Sequence, residues 1–193
     1  IKCIAIPKTV DNDLALTDCC PGFGSAAKYI ATSILEASLD VESMFETSTK
    51  VFILEVMGRH AGWMAASSAL AKTPKRDAPH IILLPEIIFN QKKFLSKVKD
   101  VIAKKGYCVI VASEGIKNSK GNFLSESDTK DAFGHAQLGG VAPYLSSLVS
   151  KKLKLKNHWA VSDYLQRSAR HIASNTDLLH AEAVGAHAIK SVS

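Results

Sequence analysis

Tyr107-Cys108-Val109-Ile110-Val111-Ala112 is an unbroken apolar run with β-branched residues at 109, 110 and 111. A strand with one face in water alternates apolar and polar side chains. A run without alternation predicts a strand buried on both faces, as in parallel sheets covered by helices. Just upstream, Gln91–Lys104 sets Phe94, Leu95, Val98, Val101 and Ile102 near helical spacing. A helix feeding a doubly buried strand is half of a βαβ unit.

The same alternation extends in both directions. Lys2–Ile6, Val51–Val56, His80–Leu84 (closed by Pro85) and His158–Ser162 read as further strands. Phe23–Leu39 reads as a helix carrying Ala26, Ala27, Ile30, Ile34 and Leu35 inward, with Pro21 and Gly22 at its entry. His60–Lys72 reads as a small-residue helix. Gly139 and Gly140 open another to about Leu153, and Thr176–Ser191 a last one with Asp177 near its N-cap. Lys117–His135 is polar and reads as a long surface loop. The fold class is α/β, with parallel-type sheets flanked by helices and no internal repeat.

Composition narrows the function. The 193 residues suffice for one sizeable core or two small ones, and 47% hydrophobic with 22% charged residues is ordinary for a globular domain. The net charge of +6 is spread along the chain, and Lys151, Lys152, Lys154 and Lys156 read as a solvated helix end. Without a concentrated basic stripe and aromatic partners, no nucleic-acid partner is expected. Small anions suit a modest positive excess better. Cys3, Cys19, Cys20 and Cys108 form no C-x-x-C pair. Cys3 and Cys108 lie in apolar runs and read as buried free thiols, which fits a cytoplasmic location. No signal peptide or spanning segment is visible, so no membrane partner is expected.

Sheets of this kind bind ligands outside the carboxyl ends of their strands. Asp11, Met57-Gly58-Arg59 and Glu114 each follow a predicted strand directly, so three polar groups are expected to share one crevice. Pro7-Lys8-Thr9-Val10-Asp11-Asn12-Asp13 offers a cation, a hydroxyl and two carboxylates. A carboxylate held beside a hydroxyl can act as general base; the same residues also suit an Asx-capped turn. Gly58 permits close approach of backbone to ligand, and Arg59 can grip an oxyanion through its planar fork. Glu114 suits either a ligand-accepting carboxylate or a cap for the Gly115 turn. Gly62 and Trp63 read as packing residues, Arg170 and His171 as structural. His80, His135, His180 and His187 show no metal-like pairing.

The segments Pro7–Leu14, Glu55-Val56-Met57-Gly58-Arg59-His60-Ala61-Gly62-Trp63, Ala112-Ser113-Glu114-Gly115 and Tyr164-Leu165-Gln166-Arg167 occur in one order. The series resembles the phosphofructokinase family, more narrowly its pyrophosphate-dependent branch, from the first residue to about Lys190. The resemblance implies a phosphofructokinase-like fold of incomplete Rossmann-like domains. It assigns residues 1–22 to the donor and catalytic domain, 23–175 mainly to sugar-phosphate binding, and 176–193 to a helix returning towards the first domain.

The activity implied is reversible phosphoryl transfer from pyrophosphate to O1 of fructose 6-phosphate with Mg²⁺, in glycolysis or gluconeogenesis. The ATP-dependent enzyme is the alternative, and a non-catalytic regulatory subunit ranks below both. Asp11 resembles the proton acceptor. Lys8 resembles the residue that steadies the transferring phosphate in the pyrophosphate branch. Thr9, Val10, Asp13, Met57, Gly58, Arg59, Glu114, Tyr164, Leu165, Gln166 and Arg167 resemble substrate contacts, with Asp13 reaching the metal through water.

Lys50 and His158 stand where family oligomers present arginines from a neighbouring subunit, so a homodimer or homotetramer is implied. The chain starts at Ile1 and contains no counterpart of the family's upstream Gly-Gly-Asp-x donor loop. By that likeness it is a fragment, expected to be inactive alone.

Overall fold

The computed structural model describes residues 2–124, 126–130, 136–138 and 140–192. Along the chain the elements are α1 (Phe23–Met44), β1 (Val51–Val56), α2 (Trp63–Ser67), β2 (Ile81–Leu83), α3 (Gln91–Lys105), β3 (Cys108–Ser113), β4 (Glu126–Lys130), β5 (Ala136–Leu138), α4 (Val141–Leu153), β6 (Asn157–Val161), α5 (Asp163–Ser168) and α6 (Asn175–Val192). Short 3₁₀ turns cover Ser68–Ala71 and Arg170–Ile172.

The main sheet has four strands in the order β2-β3-β1-β6. Every pairing in it is parallel, with Val51 opposite Cys108 and Asn157, and Ile81 opposite Ile110. Helices cover both faces, which explains the unalternating pattern of the opening run. Val51, Ile53, Cys108, Ile110 and Ala112 pack with Phe94, Val98 and Val101 of α3 and with Val141, Ala142, Leu145 and Val149 of α4. Leu54, Val56, Val109 and Val111 pack with Ala26, Ile30, Ile34 and Val41 of α1 and Met64 and Ala65 of α2. Each fully buried aliphatic side chain contributes about 1.5–3 kcal/mol relative to exposure.

Local chemistry sets the boundaries of these helices. The Asn90 side chain accepts a hydrogen bond from Lys93 N at 3.0 Å and starts α3, while Gly106, left-handed at φ 84°, ends it. Glu55 is 1% exposed in the otherwise apolar β1. Its Oε2 accepts from Ala142 N at 2.8 Å and its Oε1 from Gly140 N at 3.2 Å, which anchors the start of α4. Burial lifts the carboxyl pKa of Glu55 above the usual range, and the α4 amides oppose that rise.

Several sequence expectations need correction. Lys2–Ile6 is exposed and joins no strand among the described residues, so Ile4 and Ile6 stay 45% and 47% accessible. An apolar run forms a strand only where a sheet edge receives its backbone groups. Cys3 is exposed for the same reason; Cys108, in contrast, is buried, which pushes its thiol pKa up to about 12. The stretch expected as a loop contains structure: Lys117 bridges Phe123, and β4 pairs antiparallel with β5. Residues 125 and 131–135 of that stretch, and Gly139 of the expected helix opening, lie outside the described residues. The helix read over His60–Lys72 begins only at Trp63 and tightens into the 3₁₀ turn after Ser67. Trp63 is 56% exposed and does not pack into the core.

His80 joins the Thr73–Pro79 loop to the sheet. Its Nδ1 accepts from Val109 N at 2.9 Å, and its ring lies edge-on to Tyr107 with centroids 5.2 Å apart. A nitrogen accepting a hydrogen bond must be unprotonated. Burial lowers the His80 pKa below its ordinary 6.5, against the pull of Asp77 3.4 Å away. The bond therefore contributes stability in full above about pH 6.5, and that contribution is lost as pH falls towards the depressed folded value. Urea midpoints at pH 8 and pH 5.5 are expected to show this loss. His80→Ala is expected to cost about 1–3 kcal/mol at pH 8, by orphaning Val109 N, and to flatten the acid dependence.

Candidate active site

The carboxyl ends of β1, β3 and β6 lead into three short segments that meet. The first is Met57-Gly58-Arg59 and the second Glu114-Gly115. Gly58 has φ 128°, and a Cβ there would come 2.6 Å from Ala61 O. A Cβ on Gly115 would come 2.0 Å from Arg59 O. The two backbones thus touch where only glycine fits. The fully buried Ser113 binds them together: its Oγ donates to Gly58 O and accepts from Gly115 N at 3.1 Å.

The third segment is α5, which the sequence reading did not separate as a helix. It starts where Ser162 N donates to Glu55 O at 2.9 Å. Gln166, 2% exposed, accepts from Met57 N at 3.2 Å and donates to Asp163 O at 3.0 Å. Tyr164, Leu165 and Arg167 consequently face outward, and the Arg167 guanidinium carbon sits 4.2 Å from the Tyr164 ring centroid.

The loop of residues 8–20 is held by Asn12. This residue is 7% exposed and left-handed at φ 57°, a conformation Asn tolerates. Its Oδ1 accepts from Cys20 N at 2.8 Å and its Nδ2 donates to Asp18 O at 3.2 Å. Thr9 Oγ1 accepts from Asp11 N at 3.2 Å, and the half-buried Val10 packs on the α1 face of the core. Asp11 is half-buried between them, while Lys8 and Asp13 are exposed.

These segments converge electrostatically. The Asp11 pKa is raised by burial and by the Asp13 charge, and the cations of Arg59, Lys8 and Arg167 oppose the rise. Glu114 is pushed up to about 7, first by burial and then by the Asp11 charge; a hydrogen bond from Gly58 N and the Arg59 charge pull the other way. Asp11, Lys8, Arg59, Arg167 and Glu114 therefore share one region. Displaced carboxyl pKa values beside cations at strand ends are features of an active site. Among the described residues no cluster of three or more His, Cys, Asp or Glu could hold a metal alone.

Lys50 and His158 do not join the group. They lie at the amino ends of β1 and β6, about 20 Å along the strands from the site by strand rise. Lys50 Nζ donates to Phe45 O at 2.9 Å.

Asn12, Ser113 and Glu55 are positioning residues to which the sequence assigns no role, and Asp177 positions more than its own helix. Glu55 alone gave a signal, as one charge inside an apolar strand. Asp177, expected near the cap of its own helix, sits in the first turn of α6 and receives Ser25 N and Ser25 Oγ of α1, the latter at 2.6 Å.

The chain is a parallel α/β sandwich with carboxylates and guanidinium groups gathered at its strand ends. The phosphofructokinase family matches residues 1–192, and the chain belongs to that family. It is 58% identical over 191 residues to a pyrophosphate–fructose 6-phosphate 1-phosphotransferase of Xanthomonas campestris pv. campestris, covering 98% of this chain and 46% of that protein. The namesake from Halomonas elongata is 58% identical over 190 residues, with 98% and 45% covered. A pyrophosphate-dependent phosphofructokinase from Marinobacter aquaeolei superposes with a TM-score of 0.83 at 57% identity, covering 96% of this chain and 43% of that one. The chain spans about half the length of these relatives.

Because Arg59 O presses against Gly115, the Gly115→Ala variant is expected to destabilise by about 2–4 kcal/mol. Chemical denaturation of the variant beside the parent chain checks this. The Ser113→Ala variant is expected to lose about 1–3 kcal/mol through the unmet Gly58 O and Gly115 N.

Proposed function

We propose that this chain supplies the acceptor half of an enzyme that moves a phosphoryl group reversibly between pyrophosphate and O1 of fructose 6-phosphate. The observation that carries this reading is the coupling of Asp11 to Lys8, Arg59, Arg167 and Glu114. In the forward direction, O1 attacks a pyrophosphate phosphorus while Asp11 takes its proton. The bridging P–O bond breaks, orthophosphate leaves and fructose 1,6-bisphosphate forms. A carboxylate whose pKa lies above the ordinary value is a better base near neutrality.

Phosphoryl transfer needs mainly positioning and neutralisation of spread negative charge. Lys8 and Arg59 act electrostatically on Asp11 and supply that charge. Lys8, as a compact cation beside the transferring group, supports pyrophosphate as donor. Glu114 accepts from sugar hydroxyls in its ionised form. Arg167, stacked on Tyr164, offers its planar fork to the sugar phosphate. Thr9, Val10, Met57 and Gly58 shape the rest of the pocket, with Leu165 at its rim.

Mg²⁺ fits the donor set as a shared ion. It takes one or two carboxylates together with waters and substrate phosphates, and Asp13 and Asp11 repel each other as free carboxylates. Asp13 would hold the ion through water, and the ion would neutralise phosphate charge.

Residues 1–22 with α6 belong to the catalytic side in this reading, and 23–175 to sugar-phosphate binding. Lys50 and His158, at the opposite strand ends, serve a second subunit's sugar phosphate in a homodimer or homotetramer.

The tests use a full-length protein carrying this chain. Asp11→Ser is expected to lower kcat about 10²–10⁴-fold with the KM for fructose 6-phosphate nearly unchanged. Near-parental turnover would reject the base assignment, and comparable rates with ATP would reject the donor. Glu114 gives a pH test, because its folded pKa of about 7 lies above the ordinary 4.5. Its contribution to stability is present below about pH 4.5 and is lost as pH rises through about 7. Glu114→Gln is expected to raise the Tm at pH 8 and to weaken fructose 6-phosphate binding, a separation readable by calorimetry.

A further inference from the structure

A cavity of about 420 Å³ lies between the start of α1, the end of α5 and the first turns of α6. Lys8, Arg167 and Arg170 all line it, together with Ser25, Ser168 and Asp177. The Asp177 carboxylate is already engaged by Ser25 N and Ser25 Oγ. The close ion pairs among the described residues involve Asp77 with His80 and Lys105, and Asp11 acts on Lys8 and Arg167 from beyond ion-pair distance, so no carboxylate is paired directly with Lys8, Arg167 or Arg170. Like charges facing one hollow repel each other, and an anion there relieves the repulsion.

We propose that this cavity takes a phosphate group and that Arg170, which the function above leaves unused, is a substrate-binding cation in it. The inference rests on the proposed phosphotransferase reading. Two guanidinium forks, Arg167 and Arg170, suit the tetrahedral oxygens of a phosphate better than they suit a carboxylate-sized partner alone. The cavity volume falls within the range of small-molecule sites, about 300–1,000 Å³.

The wall that carries Arg170 is fixed in place. Ser174 N, just past the Arg170–Ile172 turn, donates to Ser25 Oγ at 2.9 Å, and that hydroxyl donates to Asp177 at 2.6 Å. One serine of α1 thus joins the Arg170 turn to α6, so the backbone that carries the cation is fixed before ligand arrives. Lys8 and Arg167 also act on Asp11, so the cavity opens beside the reacting centre. Its phosphate is either the inorganic one or that of the sugar.

The test compares parent, Arg170→Gln and Arg170→Lys in a full-length protein. Loss of one charge-assisted contact is expected to raise a KM about tenfold or more with kcat little changed, and Lys is expected to restore part of it. A rise for pyrophosphate assigns the inorganic phosphate, and a rise for fructose 6-phosphate assigns the sugar's. No change in either KM, or a fall in kcat alone, overturns the proposal.

A second measurement needs neither the variant nor turnover. Phenylglyoxal labelling of Arg170 in the parent, read by mass spectrometry, is expected to slow in orthophosphate, pyrophosphate or fructose 6-phosphate. Absence of protection by all three overturns the proposal even if Arg170→Gln fails to fold. Protection in a protein that does not turn over pyrophosphate keeps the phosphate site and rejects the donor assignment instead.

Discussion

A single buried carboxylate holds the sheet and its surroundings in register. Glu55 lies in β1, between β3 and β6, where water cannot solvate it. An unpaired charge there would cost several kcal/mol. The amides at the start of α4 receive it, so α4 must begin against this strand. The carbonyl of the same residue accepts from Ser162 N and sets where β6 turns into α5. Two residues later Met57 N reaches Gln166, which fixes the face of α5. The orientation of Tyr164 and Arg167 follows from one side chain and the backbone beside it.

The site is then assembled by closeness of backbone. Gly58 and Gly115 let two strand-end turns touch, and Ser113 supplies the polar link between them. Arg59 and Glu114 emerge from those turns side by side. The half-buried position that lifts Glu114 to about 7 is a cost of the fold, and its source is the same tight contact. On the opposite wall, Asn12 bends the residue 8–20 loop so that Asp11 faces the cations.

Much of the architecture could be read from pattern alone. The β-branched and aromatic stretch at Val51–Val56 and the unbroken apolar run at Tyr107–Ala112 correspond to β1 and β3, and the helical spacing of Phe94, Val98 and Val101 corresponds to α3. These elements are legible because burial on a pleat or a helix imposes a period on the chain. Lys2–Ile6 carries the same apolar signal yet pairs with nothing among the described residues, since a strand depends on a neighbouring edge that periodicity does not report. The antiparallel pairing of β4 with β5 was hidden for the opposite reason, because a polar stretch shows no apolar period along the chain.

By itself the sequence determined which residue types stand after which strands: Arg59 after β1, Glu114 after β3, Tyr164 and Arg167 after β6. Those positions follow from local periodicity and motif spacing, which act along the chain. Only the tertiary structure decided that Asp177 would close the start of α1, that Ser25 would tie the Arg170 turn to α6, and that Lys8, Arg167 and Arg170 would share one hollow. The hydrogen bonds among these join residues up to 152 positions apart, and chain separation carries no record of them. They form because packing α1 and α6 together buries polar groups that must then find partners in each other.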